Sequence, residues 1–221
     1  AVLTCALMGA GYFFDQAGID PRVAAANRTM AGVVYLVLGL VGRGLIINRE
    51  RLTQSEWVHQ GQVEVSRALQ GELSAERLGR QILQALAERV GARAAVAYAR
   101  NGHGYQRLAS WGVDEAALAE RVIEGEGHLG RCVAERRVLS IAMAPEEALG
   151  WATGLGRGRA PHALMVPLRD GQLVNGVLEF GLDTPPSERV QELFGRISDK
   201  LGIALRSAQY REQLQELLEE T

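Results

Sequence analysis

The sequence predicts an α+β fold: an antiparallel sheet flanked by helices and preceded by a two-helix transmembrane hairpin. Three observations carry this. Of the 50 charged residues (24 basic, 26 acidic), only Asp15, Asp20, Arg22, Arg28 and Arg43 fall within residues 1–47. Apolar runs joined by glycine-containing turns, Asn101-Gly102-His103-Gly104 and Arg169-Asp170-Gly171, read as β-hairpins. Amphipathic stretches on either side of those runs read as helices.

The charge-poor segment holds two apolar runs, residues 1–14 and 30–47, the second interrupted only by Arg43. A spanning helix needs about 20 apolar residues. An arginine one turn from the end snorkels to the interface, and Arg49 and Arg51 supply the basic flank of a cytoplasmic side. Residues 1–48 are therefore expected to form the hairpin. A signal-peptide core is the alternative for the first run, but it lacks a basic leader and a cleavage site. A buried helix of a soluble protein is the alternative for the second.

Residues 49–71 read as a helical linker broken at Gly71. Ser74 and Glu76 then mark a helix start, Leu78, Ile82, Leu86 and Val90 repeat at i+4, and Gly91 ends the helix. Strands are expected at 92–99, 105–111, 138–143, 163–168 and 173–182, with a helix at 114–123. A long helix over 187–221 follows Pro185-Pro186. Its Val190, Phe194, Ile197, Leu201 and Leu205 share one face, and Leu214, Leu217 and Leu218 extend past it.

A net charge of −2 argues against a nucleic-acid partner. Cys5 and Cys132 are too few for a disulfide framework, and four histidines without metal or triad spacing leave little for a metal centre. Gly125-x-Gly127-x-x-Gly130 matches a dinucleotide fingerprint literally. That mechanism needs a strand before it and a helix opening at the third glycine, whereas a helix is expected before it here. Residues 154–159 (Gly-Leu-Gly-Arg-Gly-Arg) read as a surface loop and candidate lid; an anion cradle is the sharper alternative. Cys132 reads as a small buried hydrophobe. Glu146-Glu147 reads as a solvated pair, because nothing nearby in sequence would split their pKa values.

Residues 124–137, beginning Glu-Gly-Glu-Gly-His-Leu-Gly, resemble the "GEGLVGxVAxxxxP" segment of GAF domains. His162 to Leu168, Gly171, and Asn175-Gly176-Val177-Leu178-Glu179-Phe180 resemble the "VPL…GxxxGVLEL" hairpin of the same family. The resemblance spans about 72–208 and implies a GAF-like, PAS-related fold, with 209–221 as an outgoing signalling helix. Ala26-Asn27-Arg28, Trp57, Gly61, Leu69 and Gly71 resemble the linker layout of bacterial membrane sensors. The implied parent is a two-component sensor histidine kinase of the bacterial inner membrane, with the GAF-like domain cytoplasmic and its phosphorelay domains lying elsewhere.

By the same resemblance the chain is expected to homodimerise through its flanking helices. A small-molecule ligand is expected in a pocket at Tyr98, Trp151, Met165, Glu179 and Phe180, with no cofactor named. The chain itself carries no catalytic constellation. Three alternatives stand beside this: an input module of a diguanylate cyclase or chemoreceptor, a ligand-free dimerisation spacer, and a methionine sulfoxide reductase, for which the redox cysteines are lacking.

Overall fold

The structure, a computed structural model, describes residues 21–71, 74–113, 118–153 and 156–219. The chain divides into two compact units, Ala1–Glu56 and Trp57–Thr221.

Helix α1 spans Pro21–Ala68, 48 residues. In the first unit, consecutive side chains from Val33 to Leu38 are about half exposed or more. Among the described residues no helix is long and apolar enough to cross a membrane. The transmembrane hairpin expected over 1–48 is therefore unsupported: its first run lies outside the described residues.

The second unit is built on a six-stranded sheet. Its strands are β1 (Ala94–Asn101), β2 (Gly104–Trp111), β3 (Arg121–Val122), β4 (Leu139–Ala142), β7 (His162–Asp170) and β8 (Leu173–Leu182). Their order is β3-β2-β1-β8-β7-β4, and every pair is antiparallel. Two-residue loops close β1–β2 and β7–β8, where Asn101 pairs with Gly104 and Asp170 with Leu173. Both loops begin with glycine, which the first position of such a tight turn favours.

One face of the sheet carries the helices. Helix α2 (Ala75–Val90) starts at Ser74, whose side chain accepts from the Arg77 amide, and buries Leu78, Ile82, Leu83 and Leu86. Helix α4 (Glu188–Glu219) buries Val190, Phe194, Ile197, Leu201 and Leu205, the face read from the sequence, while Leu214, Leu217 and Leu218 remain exposed. Val58 and Val65 of α1 join the same core, opposite Leu164, Val166, Leu178 and Phe180 of the sheet. Strand alternation sends Tyr98, Met165 and Val177 to the other face.

That second face is covered by α3 (Gly127–Glu135) and by a separate two-stranded sheet, β5 (Gly150–Thr153) with β6 (Gly156–Arg159). Two expectations change here. Of the helix expected at 114–123, residues 114–117 lie outside the described residues and Arg121–Val122 is strand β3, paired with Tyr105 and Gln106. The surface loop expected at 154–159 is the second arm of the β5–β6 hairpin; Gly154 and Leu155 lie outside the described residues.

Candidate functional site

The second face encloses a cleft of about 530 Å³. Its floor is sheet: Tyr98 from β1, Met165 from β7 and Glu179 from β8. Its walls come from Arg121 and Val122 of β3, the start of α3 at Gly127 to Leu129, residues 146–150, and Arg159 of β6.

Glu179 is central. In the ladder it pairs with Val96 on one side and Met165 on the other, so its neighbours across both strands are apolar. Only 8% of the residue is exposed. No hydrogen bond or ion pair to its carboxyl occurs among the described residues, and burial alone pushes the group up to about 7. A half-neutral carboxylic acid thus sits on the cleft floor at physiological pH.

Tyr98 stands beside it. Its hydroxyl donates to the Ala119 carbonyl at 3.2 Å. Burial and then the negative charge of Glu179 push the phenol up to about 12, so it stays protonated. At the rim, His128 Nε2 lies 3.5 Å from Glu147. Arg159 Nη1 donates to the carbonyls of Glu146 and Ala148, both at 3.0 Å, which ties β6 to the 146–148 wall.

The glycine motif at 125–130 is structural. Gly125 (φ 84°) and Gly127 (φ 61°) take left-handed conformations, and the Gly125 amide donates to the Gly130 carbonyl at 2.9 Å. A Cβ at Gly130 would lie 2.1 Å from the Ile123 carbonyl oxygen. The motif folds the chain from β3 into α3, which opens at Gly127 and not at the third glycine. A strand does precede it, contrary to the expected helix, but the helix onset still departs from the dinucleotide pattern.

Three of the five expected pocket residues, Tyr98, Met165 and Glu179, meet in the cleft. Two do not. Phe180, next to Glu179 on β8, points to the opposite face, where its ring lies 5.2 Å from that of Phe194 in α4. Successive strand residues face opposite ways, which excludes Glu179 and Phe180 from one pocket. Trp151 of β5 lies across the hairpin against Gly158, where a Cβ would come within 2.5 Å of the indole. It also bridges to Val113 instead of closing over the cleft.

Cys132 is fully buried behind the cleft, its Sγ donating to the Arg137 carbonyl at 3.4 Å, and burial pushes the thiol up to about 12. Among the described residues no three His, Cys, Asp or Glu side chains gather as metal ligands. Of the wall residues, Arg159 lies in the stretch read as a candidate lid, whereas Arg121, His128 and Leu129 were not expected at a pocket. The signal available for them was the glycine segment at 125–130, which places the start of α3 over the floor.

Residues 72–206, more than half of the chain, match the family model of the GAF domain. The chain belongs to the GAF domain family. Among solved structures, this GAF domain is similar to that of a phosphoenolpyruvate-protein phosphotransferase from Coxiella burnetii (17% identity, TM-score 0.56, covering 73% of this chain and 98% of that one). It is similar also to the corresponding domain from Acinetobacter (15% identity, TM-score 0.56, 72% and 95%). A third likeness is to free methionine-R-sulfoxide reductase from Neisseria meningitidis, solved with its substrate (15% identity, TM-score 0.52, 72% and 91%). At these identities the likeness is one of fold. No curated protein matches the chain.

Proposed function

We propose that the chain is the small-molecule-sensing input module of a signal-transduction protein, the parent being a two-component sensor histidine kinase. The observation that carries this is the placement of Glu179 and Phe180. Neighbouring residues of β8 line the cleft and touch Phe194 of α4, respectively. A ligand that prefers one arrangement of the floor therefore biases the packing of α4, and it does so only through its differential affinity for the two arrangements.

The proposal includes homodimerisation through the flanking helices. Ile203, Tyr210, Leu214 and Leu217 are all at least half exposed on α4, and their spacing of seven, four and three residues is that of a coiled-coil seam. It also includes a location at the bacterial inner membrane with the GAF domain cytoplasmic. The support is the exposed apolar run from Val33 to Leu38 in α1, since a surface helix that is apolar all round needs a cover.

Ligand sensing is tested by thermal shift of the full chain against nucleotides, amines, carboxylic acids and haem. A binder raises apparent stability by RT ln(1 + [L]/Kd); silence across all four classes refutes the sensing reading. Fractionation of cells expressing the protein tests the location, and recovery in the high-speed supernatant would refute it.

A further inference from the structure

We infer that the cleft takes a small organic cation, an amine whose N–H groups point at the Glu179 carboxylate and whose hydrocarbon body lies on Tyr98, Met143 and Met165. This rests on the ligand-sensing reading above and names the chemistry of its ligand.

The floor carries the first argument. Glu179 is more than nine-tenths buried, faces the cleft, and has neither a hydrogen bond nor an ion pair among the described residues. A buried carboxyl without a partner is costly, and nearly all such groups in folded proteins are satisfied. What satisfies its ionised form must bring donors, because an ionised carboxylate only accepts. The hydroxyl of Tyr98 spends its proton on Ala119, so it too offers an acceptor toward the cleft.

Charge around the cleft carries the second argument. Four carboxylates line it (Glu126, Glu146, Glu147 and Glu179) against the guanidinium groups of Arg121 and Arg159. Arg159 is engaged with two backbone carbonyls, and the Arg121 guanidinium lies against Gly104, where a Cβ would meet its Nε at 2.7 Å. An anion entering the cleft would meet an uncompensated carboxylate at the bottom. An ammonium group meets a partner. A divalent metal is disfavoured, since no cluster of three ligating side chains exists among the described residues.

The groups facing Glu179 set the pH dependence. Tyr98 from β1 and Cys132 from α3 both have their own pKa values raised, with the Glu179 charge among the causes, so they stay neutral through pH 8. Glu126 at the N-cap of α3, His128 on α3, Glu146 and Glu147 on the wall, Arg121 on β3 and Arg159 on β6 all stand at the rim. An amine favours the ionised carboxylate and displaces its proton. Affinity is therefore greatest above pH 7 and falls as the pH drops through it.

The test uses the full chain and three matched probes, phenethylamine, 2-phenylethanol and 3-phenylpropionate, with butylamine and putrescine as further amines. Thermal shift and calorimetric titration are run at pH 8 and pH 6. At least one amine is expected to bind about tenfold more tightly than the matched alcohol at pH 8, the scale of a charge-assisted hydrogen bond. Binding is expected to weaken about tenfold at pH 6 and to release a proton there, read from buffers of different ionisation enthalpy. Glu179→Gln is expected to lose about tenfold in amine affinity while melting cooperatively. The proton-release measurement needs no variant, so it decides the matter if Glu179→Gln fails to fold. Silence of every amine, tighter binding of the acid or the alcohol, or amine binding without proton release overturns the inference. Binding of acids or nucleotides with amines silent overturns this inference alone, whereas silence of all classes overturns the sensing reading with it.

Discussion

The guanidinium of Arg89 lies 4.5 Å over the ring of Trp57, and its Nη1 donates to Glu64 at 2.8 Å. Its Nη2 donates to the Trp57 carbonyl, and a second guanidinium, Arg189, stands 5.1 Å from the same ring. Trp57 of α1 is thereby held between α2 and α4. Truncating Arg89 removes both the cation–π contact and the donor to a main-chain carbonyl. Arg89→Met is expected to lose about 2 kcal/mol. Arg89→Lys should lose less, keeping the charge without the planar fork. Urea denaturation checks both, and equal midpoints for the three proteins would refute the assignment.

Two glycines of α4 respond in opposite directions to alanine. A Cβ at Gly202 would lie 2.1 Å from the Arg169 carbonyl oxygen, whereas nothing stands within 4 Å at the exposed Gly195. Gly202→Ala is expected to cost at least about 2 kcal/mol by forcing β7 and α4 apart. Gly195→Ala is expected to gain about 0.5–1 kcal/mol from helix propensity. Thermal melts of the two variants rank them on either side of the parent.

Burial of Glu179 makes stability depend on pH. Its folded-state value is about 7, raised from an ordinary 4.5, so between those values the folded chain binds more protons than the unfolded one. The contribution of this group therefore falls as pH rises from about 4.5 and levels off above 7, a loss of about 3 kcal/mol. Glu179→Gln should remove that slope. Urea melts of parent and variant at pH 5 and pH 8 isolate it as the difference between the two proteins.

The Cys132 thiol is fully buried and pushed up to about 12. In a Cys5→Ser background it is expected to resist a thiol-reactive chromophore at pH 8 until urea unfolds the chain. Stoichiometric labelling of the native protein would refute its burial.

Legibility followed the strength of local signals. The hairpins β1–β2 and β7–β8 carry glycine turns between apolar runs, and α2 and α4 carry a clear i+4 stripe, so all four are readable. Strand β3 has two residues, too few for a period, and the Ala-Ala-Leu-Ala before it in sequence has high helix propensity. Strand β6 alternates glycine with arginine and depends on the Trp151 ring lying over Gly158, a contact that composition does not encode. Of the residues expected at a pocket, Tyr98, Met165 and Glu179 line the cleft, whereas Phe180 faces α4, a parity against Glu179 that is visible in the sequence. The cleft walls come from within 118–129, from 146–150 and from Arg159, segments with weak periodicity.

The central strands β1 and β8 are hydrogen-bonded neighbours, yet residues 102–172 separate them along the chain. As the protein emerges from the ribosome, α2 and the β1–β2 hairpin appear long before the strand that completes their apolar face. Ala95, Ala97 and Ala99 have only small side chains to offer one another until Leu178 and Phe180 arrive. Folding of the sheet therefore waits on a late, non-local pairing, which slows it and prolongs exposure of the early hairpin. Strand β8, which closes this gap, also carries Glu179 of the cleft floor and Phe180 against Phe194 of α4, so the floor of the cleft and the packing of α4 are completed in a single late step.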